Sequence, residues 1–170
     1  NDPLFTFSTR VPINNETANH HGMELAFQHF FGSTGFGVSG SLTTVRGDVA
    51  IDRSAPPGVD QFALLGLSDT YNVTLIYDKG PLSGRLSYNW RDEFLSATNR
   101  DGNAGNPVFT EAFGVVDVSV NYEITPSILL TFEGLNLTNE HLRTFGRDKS
   151  NLYFAQELDT RYQLGVRFKF

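Results

Sequence analysis

The chain has 170 residues, 39% hydrophobic and 19% charged, with 16 Gly, 15 Phe, no Cys and a formal net charge of −6. That length supports one domain or a piece of a larger one. Without cysteine there is no disulfide scaffold, thiolate metal site or cysteine nucleophile, and the acidic balance argues against a nucleic-acid partner, whose phosphates want a basic surface. Of the 13 cationic residues only Lys79, Lys149 and Lys169 are lysine, which is unusual for a surface that meets water on every side.

Taken in order, the chain reads as strands separated by alternately long and short connections. A short alternation at Phe5 and Phe7 is followed by a polar stretch over 11–19. Residues 21–29 then set Met23, Leu25 and Phe27 against Glu24, Ala26 and Gln28. After a tight turn at Gly32–Thr34, residues 35–48 set Phe36, Val38 and Leu42 against Ser39, Ser41 and Thr43. A long segment, 49–68, leads to 69–79, where Tyr71, Val73, Leu75 and Tyr77 oppose Asn72, Thr74 and Asp78. The turn Lys79–Pro81 opens 82–94, with Leu86, Tyr88, Trp90 and Phe94 opposite Arg85, Ser87, Asn89, Arg91 and Glu93. Another long segment, 96–111, precedes 113–123, where Val116, Val118, Val120 and Tyr122 oppose Asp117, Ser119, Asn121 and Glu123. A turn at Thr125–Pro126 gives 127–137, with Ile128, Leu130 and Phe132 opposite Thr131 and Glu133. The long segment 139–157 leads to the last ten residues, with Tyr162, Leu164, Val166, Phe168 and Phe170 opposite Arg161, Gln163, Arg167 and Lys169.

Period-2 alternation in every segment predicts an all-β fold of about eight antiparallel strands. Several run ten residues or more, where globular strands average about 5–6 and membrane-barrel spans take about 9–11. No apolar run approaches the roughly 18 residues of a membrane-spanning helix, which leaves a barrel open. Alternation by itself also leaves a soluble β-sandwich open. Three features favour the barrel. The polar face carries Ser, Thr, Asn, Gln and Arg, suited to a wet lumen. Aromatic residues gather toward strand ends, as in interfacial girdles. Charges within strands lie almost wholly on the polar face, and the clear exceptions Arg46, Asp48 and Asp92 fall at strand ends beside the long segments. Short turns on one side and long loops on the other assign the turns and the C-terminus to the periplasm and the loops to the exterior.

The last strand ends in Gln163, Gly165, Phe168 and Phe170. This pattern is similar to the terminal signal by which outer-membrane barrels engage the barrel assembly machinery, and an amphipathic strand with a bare edge suits strand addition. Upstream, the ordered stretches Pro12-Ile13-Asn14, Gly22-Met23-Glu24, Gly66-Leu67-Ser68, Tyr77-Asp78-Lys79-Gly80, Arg85-Leu86-Ser87-Tyr88-Asn89-Trp90-Arg91, Glu133 with Asn136-Leu137-Thr138-Asn139-Glu140, and Arg161-Tyr162-Gln163-Leu164-Gly165 cover nearly the whole chain. Together they resemble the C-terminal part of TonB-dependent outer-membrane receptors, in the proteobacterial subfamily linked to carbohydrate uptake. The resemblance implies that residues 1–170 are about the last eight strands of a 22-stranded transmembrane barrel, without the plug domain and TonB box. It implies a bacterial outer-membrane location, TonB and a small solute such as an oligosaccharide or siderophore as partners, active import, and neither enzymatic activity nor a cofactor.

If this part of the chain makes ligand contacts, the external segments 52–65, 98–109 and 143–154 carry them; the alternative, which weighs more, is that these are only mobile loop residues. There Phe62, Phe109, Phe145 and Tyr153 suit sugar stacking, and Asn99, Asn103 and Asn106 suit hydrogen bonding. The alternatives are a self-contained small barrel acting as pore or adhesin, and a soluble β-sandwich binding module. Other motifs carry little. Gly35-Phe36-Gly37-Val38-Ser39-Gly40 spells a dinucleotide fingerprint but sits in a strand, where no helix N-terminus meets a pyrophosphate. His20 and His21 are adjacent and so point to opposite faces of a strand. Asn15-Glu16-Thr17, Asn72-Val73-Thr74 and Asn136-Leu137-Thr138 spell sequons with no meaning in a bacterial outer membrane. Glu24, Asp78, Glu93, Asp117 and Glu133 read as lumen carboxylates braced by Arg85, Arg91, Arg161 and Arg167.

Overall fold

The computed structural model describes residues 16–56, 58–100 and 105–169. Seven long strands form one antiparallel sheet: β1 (His20–Phe30), β2 (Phe36–Gly47), β3 (Thr70–Lys79), β4 (Leu82–Arg91), β7 (Phe113–Thr125), β8 (Ile128–Leu135) and β11 (Arg161–Phe168). Four short ones form a second: β5 (Phe94–Ala97), β6 (Val108–Thr110), β9 (His141–Phe145) and β10 (Leu152–Glu157). The long strands are ordered β1-β2-β3-β4-β7-β8-β11 and the short ones β5-β6-β9-β10. Each short strand abuts a long one in the chain, and the short sheet repeats the order β4, β7, β8, β11. Two hairpins therefore run on past the long sheet and bend where pairing is interrupted.

All seven long-strand expectations that fall on described residues have a strand in place. The alternation at Phe5 and Phe7 lies outside the described residues, as do Asn103 and Phe170. Two differences are instructive. The strand expected over 82–94 breaks at Asp92, and the segments 96–111 and 139–157, expected as loops, hold β6, β9 and β10. Their Asn, Gly and Asp content marks the bends and hairpin ends, and it concealed strands of only three to six residues.

The β3–β4 hairpin shows the local logic. Val, Tyr and Leu alternate with Asn, Thr and Asp through β3, and ten register pairs hold it to β4. Gly80, at φ 60°, supplies the positive φ that the first position of a two-residue hairpin turn demands, and Pro81 fixes φ at the second.

The long sheet is a single layer. Among the described residues nothing covers its apolar face: Leu164 is 76% exposed, Tyr162 68%, and Met23, Leu25, Phe27, Leu75 and Phe168 are all more than half exposed. The second sheet that a β-sandwich needs is not over it. Among the described residues the sheet is also open, since β1 pairs only with β2 and β11 only with β8. Among the described residues the one cluster of buried apolar side chains is elsewhere: Leu95, Phe109 and Phe145 on the short sheet, with Ala63 packed on them from the segment before β3.

Candidate functional site: an aromatic-banded wall and its loop-end cap

Register alone assigns the two faces of the long sheet. One row of partners runs Tyr77, Gly84, Val120, Phe132, Leu164. The apolar face it belongs to carries aromatic residues in two belts. The turn-side belt contains Phe36, packed on Tyr77 at 4.8 Å between ring centroids, with Tyr122 and Phe168. The loop-side belt contains Tyr71, stacked on Trp90 at 4.9 Å and tilted against Tyr88, and Tyr162, stacked on Phe132. Val73, Leu75, Leu86, Val118, Leu164 and Val166 fill the space between. Tyr71 stands six residues loopward of Tyr77, and Tyr162 six loopward of Phe168, about 20 Å along a strand.

The belts do not follow the register row. From Tyr77 on β3 to Phe168 on β11 the turn-side belt drifts four residues, because the row that starts at Tyr77 reaches Leu164. That drift takes four strand-to-strand steps. One residue per step, at about 3.3 Å rise and about 4.8 Å spacing, inclines the strands by about 35° to the normal of the belts. Spans in outer-membrane barrels are inclined by about 35–45°. The loop-side belt drifts equally, so the two stay parallel.

The opposite face is polar, and its side chains bond across strands. Asn72 Nδ2 donates to Asn89 Oδ1 at 2.5 Å, and the Thr74 and Ser87 hydroxyls are 2.9 Å apart. At the loop end Arg91 reaches from this face to Ser68 Oγ and the Gly66 carbonyl, both at 2.8 Å, while its guanidinium lies 3.7 Å from the Phe94 ring centroid. Leu64 and Leu67 occupy the space a side chain at Gly47 would need on the same face. The segment 48–69 is thereby folded over the polar side.

The cap is built around two arginines. Arg53 stands 3.8 Å over the Phe109 ring, which stacks on Phe145 at 5.6 Å. Arg53 also donates to Glu93 Oε1 at 2.5 Å, and Lys149 Nζ lies 3.1 Å from Glu93 Oε2. Burial pushes the Glu93 carboxyl up, but the bonds from Arg53 and Lys149 outweigh it and hold the group below its ordinary value. Arg147 donates to four backbone carbonyls, those of Arg53, Ala55, Pro56 and Gly105. It ties the segment 48–67 to the start of β6 and to the β9–β10 turn. Asp52 and Asp148 are held low by their bonds from Ser54 and Ser150, which cap tight loops. Between the segment and β5 lies a cavity of about 350 Å³, bordered by Arg46, Asp69, Asp92, Glu93, Leu64 and Phe94. Its volume suits a small solute.

The sequence profile of the family described as "TonB dependent receptor-like, beta-barrel" matches residues 1–137. The chain belongs to the TonB-dependent receptor β-barrel family. Members are transport receptors of the bacterial outer membrane, and the single-layer banded sheet is what a stretch of such a barrel wall presents to lipid. No curated protein and no solved structure matches the chain.

In this receptor wall the anticipated ligand residues fall into two groups. Phe109 and Phe145 are buried, 7% and 0% exposed, with their rings against each other and Arg53. They build the cap and offer no free ring face. Phe62 is half-buried, Asn99 is exposed, and Asn106 is half-buried with its carbonyl accepting from the Arg100 amide. Tyr153 is half-buried beneath the Arg100 guanidinium, 4.3 Å from its ring centroid. Asn99 and Asn106 flank one loop, whereas Phe62 belongs to the folded-over segment, so the structure gathers part of the set only. Of the C-terminal pattern, Gln163, Gly165 and Phe168 lie on β11, the bare edge strand. Sequence reasoning passed over Arg53 and Arg147, and read Asn136 only within a family-like stretch and a sequon. Asn136 was legible as a turn signal in Asn-Leu-Thr-Asn; the arginines were not, because their partners are distant backbone carbonyls and rings.

Proposed function

We propose that these residues form the C-terminal wall and external cap of an active-transport receptor with a barrel of the 22-stranded type. In this reading the receptor takes a scarce solute, an oligosaccharide or siderophore, at its external loops and passes it inward when TonB acts on a plug domain. The plug and TonB box are supplied by sequence outside the 170 residues. The barrel assembly machinery engages the C-terminal pattern at Gln163, Gly165, Phe168 and Phe170. No covalent chemistry is involved and no cofactor is needed. The observation that carries the reading is the pair of parallel aromatic belts on an uncovered apolar face, in a chain of this family. Bare sheet edges in hydrocarbon cost several kcal/mol per unpaired group, which favours further strands on β1 and β11 over an isolated seven-strand sheet.

The test is uptake of labelled solutes by cells bearing the receptor, with and without functional TonB. Accumulation that needs both receptor and TonB supports the proposal. Passive, TonB-independent permeation would overturn it in favour of a pore.

A further inference from the structure

The apolar face is not uniformly filled. An open groove of about 480 Å³ runs between Phe36 and Tyr77 on one side and Leu86, Val118 and Val120 on the other. It continues turnward past Leu82 into a second recess of about 440 Å³. Gly84 forms its floor in both parts. Gly84 is the register partner of Tyr77 and Val120, so the missing side chain falls in the middle of a row that is otherwise aromatic and aliphatic.

A charged residue neighbours the turn-side end of the groove. Alternation along β3 places Lys79 on the apolar face with Tyr77, and Lys79 pairs in register with Leu82, which lines the recess. Two long-strand lysines or arginines lie on that face among the described residues. Arg46, at the loop end, is committed to Asp69, with Nη2 2.7 Å from Oδ2. Lys79, at the turn end, is exposed, and its side chain has no hydrogen-bond or ion-pair partner among the described residues. A lipid-side cation is tolerated only close to the interface, and there it meets headgroup phosphates.

We infer that this groove is a phospholipid site: one acyl chain lies over Gly84 between Tyr77 and Val120, and Lys79 holds the headgroup phosphate at the turn-side interface. Charge complementarity selects the occupant, since the apolar groove ends at Leu82, whose register partner Lys79 has an ammonium with no partner among the described residues. The inference rests on the apolar face lying in lipid, as the proposed function holds.

The experiment extracts the receptor from outer membranes in mild detergent, strips lipid, titrates with phosphatidylglycerol and counts retained lipid by native mass spectrometry. One lipid per chain should resist delipidation. Lys79→Glu should weaken its retention about tenfold. Gly84→Leu should displace it, with Arg167→Glu, exposed on the polar face of β11, as the unaffected control. Heat-modifiable gel mobility reports whether each variant is folded. Should Gly84→Leu fail to assemble, Lys79→Glu carries the test, because its side chain is exposed. Folded Lys79→Glu protein that keeps the lipid as tightly as the parent overturns the site while leaving the barrel intact. A receptor that needs no detergent at all overturns the lipid-facing wall, and the site with it.

Discussion

At the residue scale, Asn136 decides where a transmembrane strand becomes a cap strand. It is 7% exposed and holds φ at 54°, a left-handed conformation that Asn tolerates better than most side chains. Its Nδ2 donates to the Glu140 and Asp159 carbonyls, and its Oδ1 accepts from the Glu140 amide and the Thr138 hydroxyl. Its own amide donates to Asp117 Oδ1, and its carbonyl accepts from Thr160. One side chain thus satisfies the backbone groups that two adjacent strands release as they bend. Replacing it with Ala leaves those groups unpaired and strains the backbone further, so Asn136→Ala should destabilise by about 2–4 kcal/mol. Asn72→Ala, which removes one exposed bond to Asn89, should cost about 1 kcal/mol or less. Urea midpoints in detergent would compare the two, and equal midpoints would remove Asn136 from its place at the bend.

The cap behaves as an element in its own right. Its apolar cluster is small, and what holds the segment 48–67 down is largely cationic: Arg147 on carbonyls, Arg53 on Phe109 and Glu93. Charge-assisted bonds of this kind contribute about 1.5–3 kcal/mol each. Arg147→Ala should therefore speed hydrogen exchange across 48–67 by at least about tenfold. Arg147→Lys should restore only part of the protection, because one ammonium cannot span the carbonyls that a planar fork reaches. Unchanged exchange in Arg147→Ala would show that the segment is held by something else.

Acid should loosen the same element. Glu93 sits below its ordinary value in the folded cap, so the unfolded cap binds more protons as pH falls toward about 4. The stabilisation is complete above about pH 5 and is lost as pH drops through the folded-state value. Exchange in 48–67, corrected for intrinsic rates, should rise between pH 6 and pH 3.5, and Glu93→Gln should reduce that dependence, leaving the share carried by Asp52 and Asp148.

For the whole molecule, the question is which solvent faces the apolar sheet. Leu164 lies between the belts at 76% exposure and touches little protein. In water an arginine there would be nearly neutral. Near the middle of a bilayer it costs about 2–4 kcal/mol. Leu164→Arg should lose that much stability in vesicles, while Gln163→Arg, on the polar face of the same strand, should lose little. Refolding equilibria in lipid vesicles measure both, and equal losses would contradict a lipid-facing Leu164.

The chain alone determined the all-β class, the seven described long strands, the short turns and which side chains share a face. These follow from period-2 alternation and turn chemistry, which act between near neighbours. It did not determine the bend at Asn136, the short strands of the cap, or the inward fold of 48–69. Those depend on partners such as Arg147 and Ala55, 92 positions apart, which no local pattern encodes. Phe109 and Phe145 make the same point: an aromatic in a Gly- and Asn-rich segment reads as exposed until the tertiary fold sets one ring on the other and an arginine above them. The belt drift, too, became visible only with the register, since strand inclination is a relation between neighbours that a single strand does not carry.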